Sequence, residues 1–242
     1  MVMDTGNKKT RGKRNTALWL FDLDNTLHNA SHAIFPAIHV NMNAFMARTL
    51  GSGGVDADVA TVNAVRENYW RRYGATLLGM VKHHQVRPED FLREAHRFDD
   101  LLGMIRAERG LINLLKRLPG RKILLTNAPL RYSGDVVRHL RLQRHFGKHI
   151  SIESMHVHRQ LRPKPSRHLL RQLIAREKVP ARRCILVEDT IANLRAAKWV
   201  GMRTAWVTQY LKDQSNTIKR PNYVDVKVKS VRQLSKNLHR LR

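Results

Sequence analysis

Four short runs stand out along the chain: Ala17 to Phe21, Ile123 to Leu125, Cys184 to Val187 and Thr204 to Val207. They do not alternate apolar with polar, so they predict strands covered on both faces. Segments with helical spacing lie between them: Arg131 to Leu142, Pro165 to Glu177, and Ile191 to Val200, which ends at Gly201 as a C-cap. Strand and helix in repetition predict an α/β fold, a Rossmann-like parallel sheet with helices on both faces.

One interval breaks the rhythm. Leu27 to Lys122 contains helical patterns over Phe35 to Leu50, Asp58 to Tyr73 and Pro88 to Phe98, and no clear strand. That is too long for a loop within a compact domain, so it predicts an inserted α-helical cap over residues 30–109. The catalytic core then comprises 16–29 and 110–242. Residues 1–15 are polar and basic and predict a disordered tail. Tyr223 to Val228 is expected as an edge strand and Val231 to Leu241 as a basic helix.

The 242 residues are 42% hydrophobic, ample for a packed core, and 45 Lys and Arg against 19 Asp and Glu give a net charge of +26. Such a field draws anions: nucleic acid, an acidic membrane or phosphorylated small molecules. The lone Cys184 excludes an internal disulfide framework and fits a reducing cytoplasm. No apolar run approaches the roughly 20 residues of a membrane span. A soluble, cytoplasmic protein with no membrane attachment is expected.

Polar residues follow three of the runs directly. Asp22 and Asp24 follow the first, Thr126 and Asn127 the second, and Glu188 and Asp189 the third. In parallel register these clusters meet at the carboxyl edge of the sheet, where such folds bind ligands. Residues two apart in an extended segment point the same way, so Asp22 and Asp24 can face one ligand. Crowded carboxylates raise one another's pKa unless a cation sits among them, and with Asp189 they form an oxygen-rich cage of the kind Mg²⁺ takes. Lys164, in "RPKPS", together with Thr126 and Asn127, supplies donors for phosphate oxygens.

These stretches resemble the motifs of the haloacid dehalogenase superfamily: "DLDNT" (22–26), "LLTNA" (124–128), Lys164 in "RPKPS", and "VEDT" (187–190). The resemblance implies that Asp22 is the nucleophile that takes a phosphoryl group. Asp24 would be the general acid and then the base that activates water. Thr126 and Lys164 would hold phosphoryl oxygens. Asp22, the Asp24 carbonyl, Asp189 and Glu188 would bind Mg²⁺. "NYWRRYGATLLGMV" (68–81) and "DNTL" further resemble the pyrimidine 5'-nucleotidase branch, where an aromatic residue usually stands at the position of His28. That implies a nucleoside monophosphate as substrate, with His28 near the leaving group.

Tyr69, Arg72 and Tyr73 are spaced to share a helix face, from which they can reach a leaving group or simply pack within the cap. His83 and His84 have no partner at metal-ligand spacing and fit a solvated helix end. Two other functions compete: hydrolysis of another small ester or of a nucleic-acid terminal phosphate, and nucleic-acid binding on a hydrolase scaffold. Nucleic acid is possible but not favoured: a binding protein has no need of the intact set of Asp22, Asp24, Lys164 and Asp189, and no aromatic-rich basic stripe of the kind that stacks bases is evident, with aromatic residues only 6% of the chain.

Overall fold

The computed structural model describes residues 17–211 and 219–241, so the expected tail over 1–15 lies outside the described residues. Among the described residues eight strands form: β1 (Leu18–Phe21), β2 (Arg121–Leu125), β3 (Lys148–Ile150), β4 (His156–Val157), β5 (Gln160–Leu161), β6 (Cys184–Glu188), β7 (Arg203–Val207) and β8 (Val226–Val228). Six of them make one sheet in the order β3-β2-β1-β6-β7-β8, every pairing parallel. β4 and β5 pair separately as a small antiparallel hairpin.

Nine α-helices accompany them among the described residues: α1 (Ile34–Leu50), α2 (Val59–Tyr73), α3 (Thr76–His84), α4 (Pro88–Ala95), α5 (Leu101–Met104), α6 (Leu111–Arg117), α7 (Leu130–His139), α8 (Arg167–Glu177) and α9 (Ile191–Trp199). Side chains alternate across the sheet, so each strand feeds two cores. Trp19 and Phe21 face Leu111, Leu114, Leu115, Val136 and Val137 of α6 and α7. Leu18 and Leu20 face Leu169, Leu170, Leu173 and Leu194 of α8 and α9. The sheet is thus covered on both sides, which is why its strands read as unbroken apolar runs.

α1 to α4 build a core of their own around Met46, Val62, Tyr69, Leu77, Met80, Phe91 and Leu92. Phe98, Leu101, Met104 and Ile105 pack instead against the sheet. Asp58 caps α2, accepting a hydrogen bond from Thr61 N at 2.8 Å. Gly74 ends that helix in the left-handed conformation at φ 78°. A Cβ built at Gly79 of α3 would lie 2.1 Å from the Tyr69 ring, so only glycine lets α2 and α3 close against each other.

Two expectations at the carboxyl end change. β8 begins at Val226 rather than Tyr223, because the Asp225 carboxylate accepts the Thr204 N–H at 2.9 Å and Tyr223 O accepts from the Thr204 hydroxyl at 2.8 Å. Side chains here take the place of ladder bonds. Val231–Arg240 winds as 3₁₀ turns, not as an α-helix. Its apolar residues fall three apart, Val231 with Leu234 and Leu238 with Leu241, the period at which a 3₁₀ turn aligns side chains on one face.

Candidate active site

The ladder continues one residue past β1: Asp22 N donates to Val187 O at 3.0 Å, which sets Asp22 beside the end of β6. Thr126 N likewise donates to Ile150 O at 3.0 Å past the end of β2. β1 lies between β2 and β6, so the three polar clusters share one edge. Beyond Asp22 the chain turns sharply. Asn25 adopts φ 56°, a conformation that Asn tolerates, and its side chain bonds Ser31 at 2.8 Å through Nδ2 and at 3.1 Å through Oδ1. This turn aims Asp22 and Asp24 at different neighbours.

Asp22 faces the acids. Lys164 Nζ donates to Asp22 Oδ1 at 2.6 Å and to Glu188 Oε2 at 2.7 Å, and all three groups are buried. Carboxylate oxygens of Asp22, Glu188 and Asp189 lie within 4.8 Å of one another, and the three can hold a metal ion. Burial, and then the neighbouring Glu188 charge, pushes the Asp22 carboxyl up to about 7, against a smaller pull from Lys164. Burial, with Glu188 and Asp22, likewise lifts Asp189 well above the carboxylate range. Burial would lower Lys164, but the charges of Asp22 and Glu188 outweigh it and keep the ammonium protonated. One ammonium among three acids leaves an excess of negative charge in a desolvated space, and a hard divalent cation fits that donor set.

Asp24 faces away from this cluster. Its Oδ1 accepts from Tyr132 Oη at 2.6 Å and lies 2.8 Å from His28 Nε2. Burial raises its pKa, but the bonds to His28 and Tyr132 overcome that and hold it below the usual value, as an anion. The His28 side chain, expected near a leaving group, is 0% exposed and reaches the site through Asp24, which it braces from behind. Tyr132 had no signal in the sequence, since it stands 108 positions from Asp24 on α7.

Thr126 Oγ1 accepts from Ala128 N at 3.1 Å, which leaves its own O–H to donate. Asn127 binds the backbone of Lys164: its Nδ2 donates to Lys164 O and its Oδ1 accepts from Lys164 N, both at 2.9 Å. The amide thus braces the loop that carries Lys164. Asp189 is held in turn by Trp206 Nε1, which donates to its carbonyl at 2.9 Å.

In the cap, Tyr69 is buried against Gly79, and its hydroxyl lies 2.7 Å from His84 Nε2, which withdraws it from any substrate. Tyr73 pairs with His83 at 2.6 Å, so both histidines bind tyrosines at a helix end where Lys82, His83 and Gln85 are exposed, as expected of a solvated end. Arg72 is exposed, with its guanidinium 5.5 Å from the centre of the Tyr73 ring. A Cβ at Gly74 would meet Pro165 at 3.8 Å, so the end of α2 abuts the Lys164 loop.

The family model of the haloacid dehalogenase-like hydrolases matches residues 17–201. Three solved structures share the fold. A HAD phosphatase from Thermococcus onnurineus aligns at a TM-score of 0.62 and 18% identity, over 92% of this chain and 97% of its own. CbbY from Rhodobacter sphaeroides, in complex with phosphate, aligns at 0.59 and 20%, over 90% and 96%. The putative HAD-hydrolase YfnB from Bacillus subtilis, bound to magnesium, aligns at 0.56 and 13%, over 93% and 99%. With a family match running from β1 to the end of α9, the chain belongs to the haloacid dehalogenase-like hydrolases.

Proposed function

We propose that the protein is a Mg²⁺-dependent phosphomonoester hydrolase that passes through an aspartyl phosphate on Asp22. The observation that carries this is the buried contact of Lys164 with both Asp22 and Glu188, beside Asp189. Asp22, Asp189 and Glu188, with the Asp24 carbonyl, would hold Mg²⁺, the ion to which YfnB is bound in its own structure. When bound, the ion offsets the repulsion between an anionic nucleophile and an anionic ester.

The side chains divide the remaining work. Asp22 attacks phosphorus and the ester oxygen departs, so one P–O bond forms as another breaks. Lys164 and the Thr126 hydroxyl steady the phosphoryl oxygens, and Asn127 positions Lys164. Asp24, held ionised in this structure, takes a proton when the ester's negative charge raises its pKa. It gives that proton to the leaving oxygen and then, as a base, takes one from the water that cleaves the aspartyl phosphate.

A nucleoside monophosphate, a pyrimidine one first, is the substrate best supported. A cleft of about 640 Å³ between α4 and α7 is lined by His96, Arg97, Phe98, Arg131 and Tyr132. Its ring side chains suit a base, and Arg93, Arg97 and Arg131 alternate there with Glu89, Glu94, Asp135 and Glu153, a mixed polar rim. Residues 30–109 act as the cap over this site, with Tyr73 and Arg72 at the end nearer Lys164. The lone buried cysteine supports a cytoplasmic setting.

The test is phosphate release across nucleotides, sugar phosphates and end-phosphorylated oligonucleotides, with Mg²⁺ and after its removal by a chelator. Release that requires Mg²⁺ and favours uridine and cytidine monophosphates is expected. Metal-independent release would defeat the mechanism. Mg²⁺-dependent release that spares pyrimidine nucleotides would defeat only the substrate.

A further inference from the structure

Trp199, the last residue of α9, is 52% exposed and is covered by two guanidinium groups of the neighbouring helix. Arg167 lies 4.2 Å and Arg171 4.6 Å from the centre of its ring. These arginines stand four apart on α8, on one face and with like charge. One turn before Trp199, Arg195 lies 5.1 Å from the centre of the Tyr223 ring. Three guanidiniums and two aromatic rings therefore share one surface, built from segments far apart in the chain.

No carboxylate on these helices cancels that charge. The one acid of α8, Glu177, is buried and bound by Arg121 and Lys148 at the far end of the helix. α9 has none. Asp225 is committed to Lys198 at 2.6 Å and to the Thr204 backbone. A membrane surface is disfavoured, because Trp199 is the only exposed large apolar residue of α8 and α9 and one ring gives a bilayer little to bury. Flat rings with guanidiniums over them match a polymer that alternates bases with phosphates: bases stack on aromatic and guanidinium planes while arginines pair with the backbone.

We propose that the α8–α9 surface centred on Trp199 docks single-stranded nucleic acid, with Arg167, Arg171 and Arg195 on phosphates and Trp199 and Tyr223 under bases. This goes beyond the hydrolysis at Asp22, since none of these five side chains belongs to that site.

The test is fluorescence anisotropy of dye-labelled oligouridylate and oligothymidylate with the full chain at low salt. Wild type is expected to bind, with affinity falling steeply as salt rises. Trp199→Ala is expected to weaken binding by about fivefold to 100-fold, the range for one lost stack, while Trp199→Phe retains most of it. Arg167→Gln with Arg171→Gln, which keeps the ring, is expected to weaken binding and flatten the salt slope. Phosphate release from a small ester should stay unchanged in all three variants. Heparin, a polyanion without bases, should bind Trp199→Ala as well as wild type. Unchanged oligonucleotide affinity in Trp199→Ala or in the double variant overturns the proposal, and so does an equal loss of heparin affinity in Trp199→Ala.

Discussion

Asn127 grips Lys164 by both of its backbone groups, donating to its carbonyl and accepting from its N–H at 2.9 Å each, across 37 positions of sequence. The loop that delivers the ammonium is thus fastened to the end of β2, one residue past Thr126. Burial makes Lys164 sensitive to its place, because a displaced ammonium leaves Asp22 and Glu188 without their counter-charge.

Asn127→Ala should lower kcat/KM by about 10- to 100-fold, the cost of misplacing a positioned group by an ångström or so. Steady-state kinetics on the best substrate of the screen measures it. Asn127→Asp keeps the acceptor but loses the donor, and should fall between the two. Wild-type rates in both variants would show that the loop holds itself.

Asp22→Asn should reduce turnover by more than about 1,000-fold, as expected when a nucleophile is removed. Asp24→Asn should be similarly slow yet keep most of its affinity for phosphate and metal, since its side chain points to His28 and Tyr132 and not to the acid cluster. Isothermal titration with phosphate and Mg²⁺ separates the two. Equal activity in wild type and Asp22→Asn would end the aspartyl-phosphate mechanism.

Tyr132→Phe removes one of two bonds that hold Asp24 ionised. A hydrogen bond to a charged group contributes about 1.5–3 kcal/mol, so Asp24 should become less well held and kcat should fall by about tenfold. KM should change little, because the hydroxyl is spent on Asp24. A rise in KM with kcat preserved would instead make Tyr132 a substrate contact.

Asp225 carries a prediction about stability. Burial alone would raise its pKa, but Lys198 and Thr204 hold it below 3.8 in the fold. The unfolded chain binds that proton more readily, so the stability Asp225 contributes is complete above the unfolded value and drains as pH falls through the lower folded one. Asp225→Asn should lower the thermal midpoint at neutral pH, at a cost of about 1–3 kcal/mol, and the gap to wild type should close as the solution becomes acidic. Melting curves from pH 7 down to about 3 test this, and a gap that widens toward acid would contradict it.

The sequence alone determined the architecture and the neighbourhood of the site. Strands buried on both faces must be apolar throughout, and a parallel sheet must bring the ends of β1, β2 and β6 to one edge. Asp22, Thr126, Glu188 and Asp189 were therefore legible from position alone. β3 was not, because "KHI" at the sheet's edge has no apolar run to betray it. Nor was the backing of Asp24, since His28 and Tyr132 acquire their roles only when α7 packs beneath the first turn. The bonds by which Asn127 braces the Lys164 backbone were not legible either, since they join residues 37 positions apart. The aromatic and basic surface around Trp199 is likewise absent from any stretch of sequence, because it exists only where α8, α9 and Tyr223 meet. Periodicity reports which face of an element is buried. Which partner a polar side chain finds is decided by contacts between distant segments, and only the tertiary structure brings those together.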